Sequence, residues 1–116
     1  IRSVYDGRYR YIVNLTPEAT FQNVETKSPL FKEWKSLAET DSHAKAMTTK
    51  YQHRPAIELY DVKNDPYCMK NLAEDAKQAS TISRLDKEVK RWMKDCGDEG
   101  QPTEMRAFEH MPGKRK

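Results

Sequence analysis

Pro55-Ala56-Ile57-Glu58-Leu59-Tyr60-Asp61-Val62 alternates: Ile57, Leu59 and Asp61 point one way, and Glu58, Tyr60 and Val62 the other. A period of two over this length reads as a strand with a different environment on each face. Asn64-Asp65-Pro66 ends it in a turn, because Asp ahead of Pro favours turn initiation. Asn71-Leu72-Ala73 then leads into the longest helical pattern, about Asp75 to Cys96. Ile82, Leu85, Val89, Trp92 and Met93 line one side of that helix, and Arg84, Lys87, Lys90, Arg91 and Lys94 fill most of the rest. Gly97 stops it, since glycine adopts the left-handed C-terminal cap without a side-chain penalty. The helix needs an apolar sheet face to cover, so the fold class is α+β, a small antiparallel sheet of three or four strands packed by a long C-terminal helix.

Upstream, Ile1 to Val13 reads as a hairpin. Val4-Tyr5 and Tyr9-Arg10-Tyr11-Ile12-Val13 are β-branched and aromatic, with Asp6-Gly7 as a two-residue turn between them. Tyr9 and Tyr11 share one face, and Arg8, Arg10 and Ile12 the other, which predicts a half-buried strand rather than a central one. Ala19 to Lys27 has no clean period and reads as a loop. Ser28-Pro29 opens a helix, with serine as cap and proline at a position where its missing N–H is no loss. Leu30, Phe31, Trp34, Leu37 and Ala38 follow at helical spacing as one apolar stripe. Thr40 to Lys50 is polar, with one last turn expected around Ala44-Lys45-Ala46-Met47. Residues 98–116 lack periodicity and are read as an irregular tail on a single unit spanning 1–116.

The chain has 116 residues, 36% of them hydrophobic and 34% charged, with a mean hydropathy of -1.01. Such a chain builds only a thin core. Two Trp, six Tyr and three Phe with a net charge of +3 exclude a disordered chain. No stretch approaches the roughly 18 apolar residues of a membrane span. Ile1-Arg2-Ser3-Val4-Tyr5 already reads as mid-structure, so a piece of a longer chain is expected. The charges of both signs are interspersed except for Gly113-Lys114-Arg115-Lys116, a basic run that reads as a frayed end.

No self-contained catalytic motif stands in the sequence: no glycine-rich phosphate loop, no His-Glu-x-x-His, no Gly-x-Ser-x-Gly. Cys68, Cys96 and the three scattered His (His43, His53, His110) lack the clustering of a zinc site. The two thiols read as free, with a bridge between them left open. Asp61, Asn64 and Asp65 lack the glycine and distal glutamate of a calcium loop and read as a turn. Gln52, His53 and Arg54 are the candidate binding residues. They stand just before the Pro55 strand, where the guanidinium fork and the imidazole suit a carboxylate or sulfate.

Arg54-Pro55-Ala56-Ile57-Glu58-Leu59-Tyr60-Asp61-Val62-Lys63-Asn64-Asp65-Pro66, followed by Asn71-Leu72-Ala73, resembles a signature near the C-terminus of many sulfatases. Arg8-Tyr9-Arg10-Tyr11-Ile12 with Asn14-Leu15 resembles the strand that precedes it there, and Trp92-Met93 with Gly97-Asp98 the usual end of the last helix. Ser28-Pro29-Leu30-Phe31-Lys32-Glu33-Trp34 is similar to a helix start in the heparan N-sulfatase (N-sulfoglucosamine sulfohydrolase) branch. The resemblance implies the C-terminal subdomain of an alkaline-phosphatase-like sulfatase acting on sulfate esters or sulfamates of glycosaminoglycan-type sugars. It also implies a secreted or periplasmic parent enzyme with calcium and a formylglycine made within Cys/Ser-x-Pro-x-Arg. Neither Cys68-Met69-Lys70-Asn71-Leu72 nor Cys96-Gly97-Asp98-Glu99-Gly100 fits that motif. The nucleophile and metal ligands are therefore expected in an N-terminal catalytic domain, the expected partner, and this piece alone is expected to be inactive. The resemblance puts Gln52, His53 and Arg54 near a sulfated-saccharide cleft. The alternative is a free-standing module for sulfated glycan or nucleic acid using Arg8, Arg10 and Lys114 to Lys116. The helices carry no basic stripe, and no aromatics are interleaved at base-stacking spacing, so nucleic acid is not expected.

Overall fold

The computed structural model describes residues 1–110. The chain forms two compact units. One is built from Ile1–Thr16 with the chain from Ala56 onward, the other from Pro17–Pro55. The class is α+β, as the strand and helix periods require.

The first unit holds the strands β1 (Arg2–Tyr5), β2 (Tyr9–Val13) and β3 (Ile57–Asp61) in one antiparallel sheet of order β1-β2-β3. β2 is thus the middle strand, against expectation. Its half-buried pattern misled because, in so small a sheet, the middle position is defined by hydrogen bonds on both edges and not by burial on both faces. The hairpin turn sits one residue further on than expected. Gly7 and Arg8 are its centre, with Gly7 at φ 101°, a value a side chain would oppose. Asp6 sets the turn by accepting from the N–H groups of both Arg8 (2.9 Å) and Tyr9 (2.7 Å) through one carboxylate oxygen.

The helix α3 (Ala79–Asp95) crosses the sheet, led in by a short 3-10 turn, Ala76–Gln78, which Asp75 caps. Gly97, at φ 72°, ends it as expected. The Asp98 N–H reaches the Met93 carbonyl (2.7 Å) and the Gly97 N–H the Lys94 carbonyl (3.2 Å). Tyr11, Leu59, Leu85 and Val89 form the core, with Val4, Tyr9, Val13, Leu72, Ile82 and Met93 packed around it. Each fully buried leucine here contributes about 1.5–3 kcal/mol from lost apolar exposure. The Tyr11 hydroxyl donates to Asp86 (3.1 Å). Burial, with the Asp86 charge beside it, pushes that phenol up to about 12. On the opposite sheet face Glu58 and Tyr60 are buried, and the Glu58 carboxylate accepts from the Tyr60 hydroxyl (2.6 Å) and the Asn14 amide (2.8 Å).

β3 is an edge strand, and the chain beyond it covers the edge. The Asn71 side chain behaves as an extra peptide. Its Oδ1 accepts from the N–H groups of Leu59 (2.9 Å) and Ala73 (3.0 Å), and its Nδ2 donates to the Ile57 carbonyl (3.3 Å). The Leu72 N–H then takes the Leu59 carbonyl (2.8 Å). Edge strands left bare invite foreign pairing, and this arrangement removes the opportunity along β3.

Three ion pairs lock the ends of the first unit. Arg8 donates through Nε and Nη2 to Asp61 (3.1 and 2.7 Å), Arg84 of α3 reaches Asp6 in the hairpin turn, and Arg2 grips Asp98 beyond α3. The Arg84 guanidinium, with the Tyr9 and Arg8 N–H groups, brings Asp6 down to about 2. The Arg8 guanidinium, aided by Asn64, does the same for Asp61. Arg2, helped by the Gly100 N–H, lowers Asp98. Carboxyls depressed in the fold and ordinary (about 3.9) when unfolded stabilise it above that ordinary value, and the stabilisation is lost as pH falls toward 2. Thermal melts are therefore expected to hold Tm down to about pH 4 and drop steeply below it. Asp6→Asn should flatten that acid limb; an unchanged slope would remove Asp6 from the account.

The segment expected to be irregular carries a short helix, α4 (Gln101–Met105), followed by a 3-10 turn, Ala107–His110. Pro102 suits the first turn, the Glu104 N–H reaches the Gly100 carbonyl (3.0 Å), and Glu104 accepts from Arg2 (3.1 Å). A helix this short has no readable period, which is why the sequence pattern missed it. The basic run Gly113-Lys114-Arg115-Lys116 lies outside the described residues.

The second unit contains a 3-10 turn, Glu25–Lys27, and the helices α1 (Pro29–Leu37) and α2 (Ser42–Gln52). Ser28 caps α1 by accepting from the Phe31 N–H (3.1 Å), as read from the sequence. The α1 stripe, however, does not all face inward. Phe31 is buried, whereas Leu30, Trp34 and Leu37 are 73%, 40% and 51% exposed. α2 is a full helix where one turn was expected. Asp41 caps it by accepting from the Ala44 N–H (2.7 Å), and it buries only Ala44 and Thr48, too little to print an apolar period.

Candidate functional site

Gln52, His53 and Arg54 close the second unit. Gln52 is the last residue of α2, and His53, at φ -120° and ψ 102°, turns the chain into extended backbone while its N–H still reaches the Thr49 carbonyl (2.8 Å). The helix has to stop here because Pro55 excludes the helical region for Arg54. The Gln52 carbonyl is taken by the Phe21 N–H (2.8 Å), which ties the loop ahead of α1 to the end of α2.

Aromatic rings hold the site. The Arg54 guanidinium lies over the Phe21 ring at 5.3 Å, and Phe21 meets Tyr51 edge-on at 5.8 Å. Tyr51 packs against Phe31 at 5.4 Å, and Phe31 meets Trp34 edge-on at 6.4 Å. Such contacts contribute about 0.5–1.5 kcal/mol each beyond buried area, and a cation over a ring about 0.5–1 kcal/mol. The Tyr51 hydroxyl accepts from the Asn23 amide (2.9 Å), and Asn23 and Thr26 brace each other through three hydrogen bonds. Gln52 is half-buried, His53 exposed and Arg54 half-buried.

Sequence reasoning missed Lys35, whose Nζ donates to Gln52 Oε1 (3.1 Å). It also missed Phe21, which no period marked. Both depend on packing between segments far apart in the chain, for which the sequence has no local signal. Asp98 is an anchor for Arg2. Of the residues proposed for a basic binding module, Arg8 is spent on Asp61 and stacks on Tyr9, and Arg10 lies over Tyr5.

Asp61, Asn64 and Asp65 form the expected turn. The Asp61 carbonyl accepts from Asn64 (3.0 Å) and Asp65 (2.7 Å), and the Asp65 carboxylate from the Lys70 N–H (2.8 Å). Neither Cys68 nor Cys96 is in a disulfide. Among the described residues no group of three or more His, Cys, Asp or Glu side chains is placed to hold a metal ion. No described helix is long and apolar enough to cross a membrane.

No family model matches the chain. Two ulvan-active sulfatases of Formosa agariphila are similar to it. One is 33% identical over 103 residues, 85% of this chain, and the other 32% identical over 97 residues, 84% of this chain. The chain is similar to a segment of each of these sulfatases. It spans only 17% and 18% of the length of those two enzymes. Matches that take in so much of the chain include residues 52–73, and therefore both the candidate trio and the β3 edge. Within this chain Glu58 is engaged with Tyr60 and Asn14, Asp61 with Arg8, and Asn71 with the β3 edge, so these polar residues of 57–73 serve the fold.

Proposed function

We propose that this chain is the C-terminal subdomain of a secreted or periplasmic sulfatase that removes sulfate from a sulfated polysaccharide. Its work is to cover one flank of the catalytic portion and to present Gln52, His53 and Arg54 at the rim of the substrate cleft. The observation that carries this reading is the match to two ulvan-active sulfatases over most of this chain but under a fifth of theirs. Those names support an ulvan-like substrate. The Ser28-Pro29-Leu30-Phe31 likeness to the heparan N-sulfatase branch favours a glycosaminoglycan-type sugar, as ester or sulfamate. The formylglycine nucleophile and calcium are assigned to the catalytic portion, and no catalytic step to any residue here. The outward stripe of Leu30, Trp34 and Leu37 supports a covering role. Apolar residues spaced one helical turn apart and left in water are commonly interface, and the catalytic portion is the occupant this reading supplies.

The rim role is tested in the complete enzyme by comparing an ulvan oligosaccharide with 4-nitrophenyl sulfate. Arg54→Ala is expected to lower the ratio of kcat/KM for oligosaccharide over aryl sulfate about tenfold, the worth of one charge-assisted hydrogen bond. Arg54→Lys, which keeps the charge but loses the fork, should recover only part of the ratio. A ratio that Arg54→Ala leaves untouched would remove Arg54 from the rim.

A further inference from the structure

We propose that Lys35 is a specificity-determining residue of this rim. With the Gln52 amide and the His53 ring it takes a second anionic substituent of the saccharide, one that is not hydrolysed. The proposal rests on the rim reading above and extends it to a residue of α1 that no sequence motif marked.

Lys35 is held beside the trio by a neutral partner. Its ammonium spends one of three donors on Gln52 Oε1 (3.1 Å) and keeps its full charge. This is unlike Arg2, Arg8, Arg84, Lys90, Arg91 and Arg106, each of which faces a carboxylate. Among the described residues no carboxylate pairs with Lys35, Gln52 or His53. The bond also orients Gln52. With its amide oxygen occupied and its backbone carbonyl fixed by the Phe21 N–H (2.8 Å), the group left to meet a ligand is the Nε2 donor. The exposed His53 ring adds another N–H on the adjacent residue. Three side chains, from α1, the end of α2 and the residue after it, thus offer donors, and among the described residues no carboxylate pairs with the Lys35 ammonium. That is the complement of an oxyanion, which only accepts, and sulfate and uronate carboxylate share that chemistry.

A lysine in the last turn of a helix is also favoured by the helix dipole. That account needs no Gln52 bond and predicts no effect on substrate choice, so selectivity separates the two.

In the complete enzyme, Lys35→Gln is expected to raise KM for an ulvan oligosaccharide bearing several anionic groups about tenfold with little change in kcat. The oligosaccharide-to-aryl-sulfate selectivity should fall by the same factor, and Lys35→Arg should restore it. Carboxyl-reduced oligosaccharide distinguishes the two sources: the Lys35→Gln defect persists if sulfate is bound and disappears if carboxylate is. Selectivity unchanged in Lys35→Gln but lowered in Arg54→Ala would overturn this proposal and leave the rim reading standing. No change in either would overturn the rim reading itself. A loss of kcat on both substrates alike would make Lys35 structural and likewise overturn the proposal.

Discussion

Leu59→Ala is expected to lower the unfolding free energy of the first unit by about 2–5 kcal/mol, a large share of what so thin a core supplies. Leu59 is 0% exposed, lies opposite Tyr11 in the sheet register and packs under Leu85 and Val89 of α3. Truncation removes the transfer energy of the buried methyls and leaves a cavity that neither the sheet nor the helix can close without breaking the register. Ile57→Ala, on the same strand face but 39% exposed, is the internal control and should cost well under half as much. Urea unfolding followed by tryptophan fluorescence reads both midpoints, since Trp92 lies on α3. Equal shifts for the two variants would mean that the core is not where the burial places it.

Asn71→Ala is expected to cost about 2 kcal/mol by a different route. The substitution leaves the Leu59 N–H, inside a buried residue, without its acceptor and returns the β3 edge to solvent. The Ala73 N–H and the Ile57 carbonyl also lose partners, but both residues reach water and recover most of the loss. Asn71→Asp keeps the acceptor and loses only the donor, so it should be the milder change. Amide hydrogen exchange at Leu59 gives the direct reading: about thirtyfold faster in Asn71→Ala, near wild type in Asn71→Asp. Equal exchange in wild type and Asn71→Ala would show that the edge is held by Leu72 alone. Either outcome bears on why asparagine stands in this block, because the side chain is doing the work of a missing strand.

Much of the architecture was legible because its signals are local. The Asp6-Gly7 neighbourhood marked a hairpin, Ser28-Pro29 marked a helix start, the alternation of 57–62 marked β3, and Gly97 marked the end of α3. The errors share a cause as well. α2 escaped because a helix that buries only Ala44 and Thr48 has no stripe, although Asp41 three residues before Ala44 was a readable cap. The outward face of α1 could not be told from an inward one, since periodicity says that a face is apolar and not what it meets. The candidate trio was visible as residue types ahead of a proline. Its support was not: Phe21 under Arg54 and Lys35 on Gln52 are tertiary contacts across 33 and 17 residues. The bonding roles of Asn71 and Asp98 were not legible for the same reason, because their partners lie 12 and 96 residues away.

The second unit is threaded between two neighbouring strands. It leaves the sheet after β2 and returns to β3 where Val13 faces Ile57 and the Asn14 N–H bonds the Ala56 carbonyl (2.8 Å). Departure and return are adjacent rungs of one ladder, so lengthening or replacing the excursion changes loop-closure entropy only slowly and disturbs no rung. Gln52, His53 and Arg54 all ride on that excursion. The proposed rim therefore sits on a segment, residues 17–55, that can be exchanged as a cassette without touching the strand pairing that receives it.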